Sequence, residues 1–268
     1  SFNFLKDKND VYLFDDNSNL KFDKSVKQKM ISKSKLSNCK FDLIILSPGI
    51  DINNCKLKNL LKRYHQNIYT DLDVFYSFYK NKCVTITGTN GKSTTCQLLY
   101  EVLKKQGFDV KLAGNIGYPI LSIKKIKPRS IFVIEASSYQ LDYSRFFNSK
   151  YVAILNITPD HLERHKSLRN YISAKFKIIK NQKKNSIAFI NKHDVIINKK
   201  IKKNNHKSRI IKVNTRLSDK LLSVFRNSYF LSSSNRENLS FVLEISKKFK
   251  IKKNILISAI KKFKGLKY

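Results

Sequence analysis

The sequence predicts an α/β protein in which a partial Rossmann-like N-terminal domain precedes a P-loop ATPase-type central domain with a mostly parallel sheet. Two observations carry this prediction. Short apolar runs alternate with amphipathic stretches along most of the chain, which is typical of parallel sheets covered by helices. In addition, the run Cys83-Val84-Thr85-Ile86 leads through Thr87 into GTNGKST at 88–94. A glycine-rich turn between a buried strand and a helix is a site for a phosphate group.

The chain has 268 residues, of which 41% are hydrophobic, enough for one large or two ordinary domains. We predict an N-terminal domain over residues 1–80 and a central domain over 81–268. A Rossmann-like unit opens with a strand and a glycine-rich turn, and neither stands at the start of this sequence. We therefore expect the chain to begin just after them.

In the N-terminal block the pattern predicts a strand over 11–16, a second strand over 41–50 that runs into a Pro-Gly turn, a helix over 54–66, and a short strand with a helix within 67–80. In the central block, strands are predicted at 83–87, 110–113, 131–135, 151–156, 186–190 and 209–213, and helices at 92–106, 168–180, 236–249 and 254–263. The polar, basic segment 198–209 is predicted to be an exposed loop or the end of a helix.

The composition argues against several classes of protein. A net charge of +35 would suit nucleic-acid binding, but the lysines are spread over the whole length, and RNP-like and zinc-finger spacings are absent. The scattered cysteines (Cys39, Cys55, Cys83 and Cys96) predict free thiols in a reducing cytoplasm. No apolar stretch reaches the length of a membrane span. We expect a cytoplasmic protein that binds neither nucleic acid nor membrane.

The turn GTNGKST is the shorter G-x-x-G-K-[ST]-T form of a phosphate loop, because Ile86 stands where the longer form has its first glycine. Backbone N–H groups and the dipole of the following helix would bind phosphate, and Lys92 would add a full positive charge. Ser93 or Thr94 can offer a hydroxyl to Mg²⁺. The alternative is a structural turn with a surface lysine.

Polar side chains follow other predicted strands at the same sheet edge, where ligands bind in open parallel sheets. Glu135 ends one strand and could hold Mg²⁺; the alternative is a solvated acid. Asn156, Asp160 and His161 follow another, and we favour a metal or phosphate role for His161 over a structural one. His165 is predicted to lie at the surface. Asn115 lies between two glycines, in a ligand-binding loop or a plain turn.

Four motifs in this order, GTNGKST (88–94), GNIG (114–117), E-x-S-S-Y-Q-L (135–141) and NITPDHLERH (156–165), resemble those of the ATP-dependent Mur ligases. SPGI at 47–50 extends the resemblance, and the SSYQL form is similar to the branch that adds D-glutamate. Members have an N-terminal UDP-sugar domain, a central ATPase domain and a C-terminal domain. The resemblance implies most of the first domain and all of the second. We expect the C-terminal domain to be absent and this piece alone to be inactive.

The resemblance also implies roles for individual residues. Lys92 would bind the β- and γ-phosphates, and Ser93 and Glu135 would hold a first Mg²⁺. His161 would hold a second together with Lys175, which would carry a carbamate; by pattern alone Lys175 is one lysine among many. The implied sets are catalytic Lys92, His161 and Lys175; ATP-binding Gly88, Thr89, Asn90, Gly91, Lys92, Ser93, Thr94, Asn235 and Asn238; and substrate-binding Asp15, Ser47, Pro48, Gly49, Asn115, Ser137 and Gln140.

One motif departs from the family pattern. Members usually have G-x-H-N-x-x-N beside the adenine, whereas this chain has serine at both Ser232 and Ser234, followed by Asn235 and Asn238. The asparagines remain the candidates for adenine contacts.

The activity implied by the resemblance belongs to peptidoglycan precursor synthesis. ATP, with two Mg²⁺ ions, would convert the carboxylate of UDP-N-acetylmuramoyl-L-alanine to an acyl phosphate, which D-glutamate would attack, and we expect a monomer. Three alternatives stay open: a sister ligase that adds another amino acid, or glutamate to folate; a P-loop kinase or nucleotide-dependent transporter subunit; and a basic nucleic-acid-binding module.

Overall fold

The computed structural model describes residues 1–17 and 23–266. Its strands are β1 (Ile44–Ile45), β2 (Ile68–Tyr69), β3 (Lys82–Thr87), β4 (Val110–Gly114), β5 (Ile131–Glu135), β6 (Tyr151–Ile154), β7 (Ile187–Asn191) and β8 (Arg209–Val213). Its α-helices are α1 (Phe2–Leu5), α2 (Lys24–Lys27), α3 (Lys33–Ser37), α4 (Lys58–Arg63), α5 (Asp71–Phe78), α6 (Lys92–Lys105), α7 (Ser138–Tyr143), α8 (Leu162–His165), α9 (Leu168–Lys180), α10 (Val195–Lys202), α11 (Asp219–Phe225), α12 (Ser233–Lys248) and α13 (Lys253–Lys262). Short 3-10 helices cover His65–Asn67, Ile120–Ser122 and Ser228–Leu231.

The main sheet has six strands in the order β4-β5-β3-β6-β7-β8, and every neighbouring pair is parallel. Strand β3 lies near the middle of this sheet. Its five residues from Cys83 to Thr87 are buried, as expected for a strand covered by helices on both faces. All the strands therefore direct their carboxyl ends to one edge, which is where the phosphate loop leaves β3.

Helices cover both faces of this sheet, and alternate residues of β3 pack into different cores. Val84 and Ile86 belong to a cluster with buried side chains of α6, α12 and α13. Cys83 belongs to a second cluster, which contains buried side chains of α5, α7 and α9. This alternation follows from the period of two along a strand.

The N-terminal block contains a two-stranded parallel sheet of β1 and β2. A small cluster of Leu46, Ile52, Leu61 and Ile68 lies against it. Helix α5 differs from the rest of the block because its Leu72 and Phe75 are fully buried in the second core of the main sheet.

The α/β prediction with a mostly parallel sheet is confirmed, and the six predicted central strands all form. The strand predicted at 11–16 is wrong: within the described part of the chain, the segment forms an isolated bridge between Leu13 and Met30 and no ladder. The strand predicted at 41–50 contracts to β1 because its partner β2 is also two residues long. A strand extends only as far as its hydrogen-bonding neighbour.

The four cysteines are free thiols, as predicted. Among the described residues, no helix combines the length and the apolar character that crossing a membrane requires.

Candidate active site

The phosphate loop connects β3 to α6. Gly91 caps α6 with φ of 79°, in the left-handed region that glycine adopts without strain. A Cβ built on Gly91 would lie 2.0 Å from Oδ1 of Asn238, which is buried on α12. The loop is therefore packed closely against α12, and the free N–H groups at the start of α6 point to the same sheet edge.

Side chains that follow β6 hold the loop in shape. The Asn90 backbone N–H donates to Oδ1 of Asn156 at 2.9 Å, and the Thr89 N–H donates to the Asn156 carbonyl at 3.0 Å. The Thr89 hydroxyl lies 3.2 Å from the Thr158 carbonyl and 3.0 Å from the Tyr171 hydroxyl. These contacts fix the loop before any nucleotide binds.

Two lysine amines meet at one carbonyl oxygen of the loop. Lys92 Nζ donates to the Gly88 carbonyl at 3.1 Å, and Lys175 Nζ donates to the same oxygen at 2.7 Å. Lys175 is only 2% exposed, and its Nζ lies 4.6 Å from the centre of the Tyr171 ring. Burial, with a smaller contribution from Lys92, lowers the pKa of Lys175 to about 7. A large part of this amine is therefore neutral near physiological pH.

The carboxylate of Glu135, at the end of β5, is 1% exposed and is held by two side chains. Ser93 Oγ donates to its Oε2 at 2.7 Å, and Asn115 Nδ2 donates to its Oε1 at 3.0 Å. Three separate motifs thus meet at one carboxylate: the phosphate loop, the GNIG turn and the strand-end glutamate.

A hydroxyl and a carboxylate beside a phosphate loop form a set of hard oxygen donors that fits Mg²⁺. Across residues 1–17 and 23–266, no three side chains of His, Cys, Asp or Glu come together as a metal-binding group. A Mg²⁺ ion held by Ser93 and Glu135 would therefore complete its ligand set with phosphate oxygens and water, as this ion commonly does.

His161 lies at the rim of this site and His165 lies behind it. His161 caps α8 with φ of 52°, and its ring centre is 5.0 Å from that of Tyr139. The prediction that His165 lies at the surface is wrong: it is buried, and its Nε2 is 3.0 Å from Ser138 Oγ. Burial lowers the pKa of His165. Tyr139 stacks on this ring as well, with 5.5 Å between the centres.

Ser137 and Gln140 form a capping box at the start of α7, with Ser137 Oγ accepting from the Gln140 N–H at 3.2 Å. The Gln140 amide donates to the carboxylate of Asp71 at 3.3 Å. Burial raises the pKa of Asp71. Gln140 is itself buried, whereas Ser137 is half-buried near Glu135 in the chain.

The asparagines of α12 have different surroundings. Asn238 abuts Gly91, as described above, whereas Asn235 Nδ2 donates to the Tyr229 carbonyl at 2.8 Å. Ser232, which departs from the family pattern, is the N-cap of α12 and accepts from the Asn235 N–H at 3.4 Å.

The remaining predicted residues lie in the N-terminal block. Ser47, Pro48 and Gly49 form an exposed turn after β1, where the Ser47 carbonyl accepts from the Ile50 N–H at 3.0 Å. Asp15 is exposed, and its Oδ1 accepts from the Asn17 N–H at 2.8 Å.

Comparison with protein families gives one match that covers most of the chain: the Mur ligase middle domain model matches residues 86–259. The chain belongs to the Mur ligase family. The matched segment contains the phosphate loop, Asn115, Glu135, His161, Lys175 and both asparagines of α12.

Curated relatives of this Mur ligase include proteins named UDP-N-acetylmuramoylalanine–D-glutamate ligase. The one from Rickettsia conorii is 40% identical over 194 residues, which is 70% of this chain and 38% of that protein. The one from Caldicellulosiruptor saccharolyticus is 32% identical over 249 residues, or 85% of this chain and 54% of that protein. The chain thus spans about half, or less, of the length of these relatives.

Solved Mur ligases share the fold at low identity. The UDP-N-acetylmuramate:L-alanyl-gamma-D-glutamyl-meso-diaminopimelate ligase of Neisseria meningitides has a TM-score of 0.60 at 15% identity, covering 88% of this chain and 82% of that one. A UDP-N-acetylmuramoyl-L-alanyl-D-glutamate–2,6-diaminopimelate ligase has a TM-score of 0.55 at 19% identity, covering 84% and 55%.

Sequence pattern alone does not single out Tyr171, which the structure brings to the site of this Mur ligase. Tyr171 joins Thr89 to Lys175, and it lies four residues before Lys175 on α9, which places both on one helical face. Asn156, which the sequence places at the end of a strand, holds the loop through both its backbone and its side chain. A search for polar residues one helical turn from Lys175 would have found the tyrosine.

Proposed function

We propose that the protein is an ATP-dependent ligase that joins D-glutamate to UDP-N-acetylmuramoyl-L-alanine through an acyl phosphate. The observation that carries this proposal is the meeting of Lys92, Ser93, Asn115 and Glu135 at the carboxyl edge of a parallel sheet, with Lys175 beside them. The names of the curated relatives support the choice of substrates.

The chemistry requires two steps that this site suits. A carboxylate is a poor electrophile because its oxygen is a poor leaving group. Transfer of the γ-phosphoryl group of ATP to a carboxylate oxygen gives an acyl phosphate, and the amine of D-glutamate then displaces phosphate through a tetrahedral intermediate. The protein's part is to position the groups and to offset negative charge.

In this proposal the loop from Gly88 to Thr94 binds the phosphates of ATP through its N–H groups, and Lys92 leaves the Gly88 carbonyl to contact the β- and γ-phosphates. Asn238, which already contacts the loop, and Asn235 bind the adenine end. Ser93 and Glu135 would hold one Mg²⁺, and His161 and Lys175 a second. When bound, these ions would act as Lewis acids that offset charge on the phosphoryl oxygens.

Lys175 is the residue we assign to carbamate formation. Its buried amine has a pKa of about 7, so a large part is neutral and nucleophilic toward CO₂. Attack of the neutral amine forms an N–C bond and releases one proton, which gives a carbamate anion next to Lys92; the ammonium form releases one further proton beforehand. The repulsion between two ammonium groups at the Gly88 carbonyl then becomes an attraction, and the new oxygens suit a metal ion.

The UDP-sugar is assigned to the face between the N-terminal block and the sheet edge. Asp15 and the turn 47–49 would contact the UDP, whereas Asn115, Ser137 and Gln140 would face the muramoyl-alanine end. We further propose that the enzyme is a cytoplasmic monomer.

The test is phosphate release from MgATP by the full-length protein, with and without UDP-N-acetylmuramoyl-L-alanine, and with D-glutamate, L-glutamate or other amino acids. We expect release that requires both the UDP-sugar and D-glutamate. Release with another amino acid would move the protein to a sister ligase. Absence of substrate-dependent release, together with strongly salt-dependent binding to nucleic acid, would refute the proposal in favour of a basic binding module.

A further inference from the structure

Arg164, on α8, joins the N-terminal block to the central sheet. Its Nη2 donates to the Ile50 carbonyl and to the Tyr143 hydroxyl, both at 2.7 Å, and its Nη1 lies 3.3 Å from Asp51 Oδ1. The guanidinium lies over the rings of Tyr139 and Tyr143, with 5.6 and 5.3 Å to their centres. The arginine and Asp51 side chains are 12% and 14% exposed, so this is a largely buried ion pair.

Arg164 is close in the chain to His161, and its partner Ile50 is next to the turn 47–49, so the contact joins two parts of the candidate site. Arg164 follows His161 by three residues, and its N–H donates to the His161 carbonyl at 3.1 Å in the first turn of α8. Ile50 directly follows the turn 47–49. The Tyr143 hydroxyl also accepts from the Ile52 N–H at 3.4 Å, so both sides of Asp51 are held. A short series of contacts therefore connects His161, which we assign to metal binding, with the turn 47–49, which we assign to the UDP-sugar.

We propose that Arg164 is a positioning residue that fixes the turn 47–49 relative to the phosphate loop. This inference rests on the proposed function, in which the turn binds the UDP-sugar and the loop binds ATP. Phosphoryl transfer requires the acceptor carboxylate and the γ-phosphate to meet in line, and a misplacement on the order of 1 Å can cost about 10²-fold in rate. The buried, multiply bonded guanidinium provides the rigid connection that such alignment needs.

The chain offers a matched control in Arg145, which also connects the two parts of the molecule. Its Nε donates to the Ile68 carbonyl at 2.7 Å, and its Nη2 contacts the His65 carbonyl. These acceptors belong to β2 and to the 3-10 helix before it, not to the turn 47–49. Arg145 therefore makes the same kind of contact between arginine and backbone without reaching the proposed substrate turn.

The experiment compares Arg164→Gln, Arg164→Lys and Arg145→Gln in the full-length protein. We expect Arg164→Gln to lower kcat/KM for UDP-N-acetylmuramoyl-L-alanine by about 10- to 100-fold, while the KM for ATP stays within about twofold, because the phosphate loop has its own supports. Arg164→Lys should recover only part of this loss, since an ammonium cannot reproduce the planar fork of donors. Arg145→Gln should lower the thermal midpoint and leave both KM values unchanged.

Asp51→Asn keeps the shape of the Arg164 partner and removes its charge, so it tests the contact even if Arg164→Gln folds poorly. Its effect should fall on the same kinetic parameter and should not add to that of Arg164→Lys. The inference is overturned if the Arg164 variants affect ATP and the UDP-sugar equally, if they affect neither, or if Arg145→Gln matches them. A wild-type protein without UDP-sugar-dependent turnover would instead refute the proposed function, and the inference with it.

Discussion

Lys175 shows at the scale of one residue what the sequence cannot reveal. The chain contains 54 lysines and arginines, and Lys175 has no local feature that sets it apart. Its distinctive property is burial beneath the phosphate loop, which depends on how α9 packs against the sheet. Glu135 and Lys92 could be predicted, by contrast, because strand ends and glycine turns are local patterns whose positions in a parallel sheet follow from topology.

Replacing Lys175 by Met should change how stability depends on pH. The folded-state pKa of about 7 is below the ordinary value of 10.5, so between these values the unfolded state binds more protons. The wild-type free energy of unfolding therefore rises with pH between about 7 and 10.5. Below about pH 7 the buried amine is charged, and the full cost of burying that charge lowers the stability of the folded state. We expect Lys175→Met to be the more stable protein at pH 6, with the difference shrinking by pH 9.

Urea unfolding of both proteins in bicarbonate-free buffer at several pH values measures this difference. The other titratable groups are common to the two proteins and largely cancel in the comparison. A difference that does not vary with pH would contradict a lowered pKa at Lys175.

Gly91→Ala should impair both folding and nucleotide binding. Forcing alanine into the left-handed region costs about 1–2 kcal/mol, and the new Cβ would meet Asn238 Oδ1 at 2.0 Å, so the contact between the loop and α12 must shift. We expect a lower free energy of unfolding and a loss of ATP affinity of at least about tenfold, or about 1.4 kcal/mol, measured by calorimetric titration with ATP.

Gly107→Ala is the matched control. Gly107 has φ of 96°, also left-handed, but a Cβ there would have no neighbour within 4 Å. It follows α6 at the end away from the loop. This variant should lose about 1 kcal/mol of stability through backbone strain and retain its ATP affinity. Equal ATP affinities for the two glycine variants would count against a role for the packing of Gly91 on Asn238.

At the scale of elements, the sequence predicts the strands and helices that have a long, periodic apolar pattern. It does not predict short elements whose formation depends on tertiary contacts. The six central strands and α6, α9, α12 and α13 appear where the apolar pattern placed them. Helices α7 and α8, each under two turns, lacked a sufficient periodic signal. The segment 11–16 has a strand-like pattern, but among the described residues it pairs through a single bridge to Met30, so no strand forms there.

Two carboxylates of α5 allow a test of what holds this helix in place. Asp73 is fully buried; its Oδ1 accepts from the backbone N–H groups of Phe146 and Phe147 at 3.0 and 2.9 Å and from Ser144 Oγ at 3.0 Å. In Asp73→Asn, one carboxylate oxygen is replaced by an NH₂ group, which cannot accept hydrogen bonds. At least one of the N–H or O–H groups that donate to Asp73 would then lose its acceptor. We expect a loss of at least about 2 kcal/mol, because buried unsatisfied donors cost about 1–3 kcal/mol each.

Asp71→Asn, two residues earlier on the same helix, should cost little. The carboxamide keeps an oxygen for the Gln140 amide, and burial already disfavours the ionised form of Asp71. Urea midpoints at pH 7 with unchanged m-values would compare the two variants. Similar losses for both would argue against the special place of Asp73 in joining α5 to the segment 144–147.

At the scale of the whole molecule, the topology of the sheet says more about the candidate site than the net charge does. The +35 net charge alone suggests a polyanion as partner. The parallel order β4-β5-β3-β6-β7-β8 instead collects the chemically distinctive side chains at a single edge. The sequence could predict which strands exist; that β3 lies between β5 and β6, and so brings Glu135 and Asn156 to opposite sides of the phosphate loop, emerges only from the folded sheet.

Helix α5 packs into the core of the central part, so a domain boundary at residue 80 would separate this helix from its packing partners. Leu72 and Phe75 of α5 are fully buried in the core that contains Phe132 and Phe147 of the central part. Removing residues 1–80 would expose these partners, whereas removing 1–64 would keep α5 together with the Arg145 contacts to His65 and Ile68. The first deletion should therefore be far more damaging than the second.

Burial of two such side chains is worth about 3–6 kcal/mol, a large fraction of the roughly 5–15 kcal/mol that stabilises a typical domain. We expect residues 65–268 to unfold in one cooperative transition, and residues 81–268 to unfold at a much lower urea concentration or to aggregate. Urea unfolding followed by circular dichroism, with the Phe75→Ala variant of 65–268 as control, measures this. If 81–268 proved as stable as 65–268, α5 would be an accessory of the N-terminal block; if Phe75→Ala alone reproduced most of the loss, the packing of α5 would be its cause.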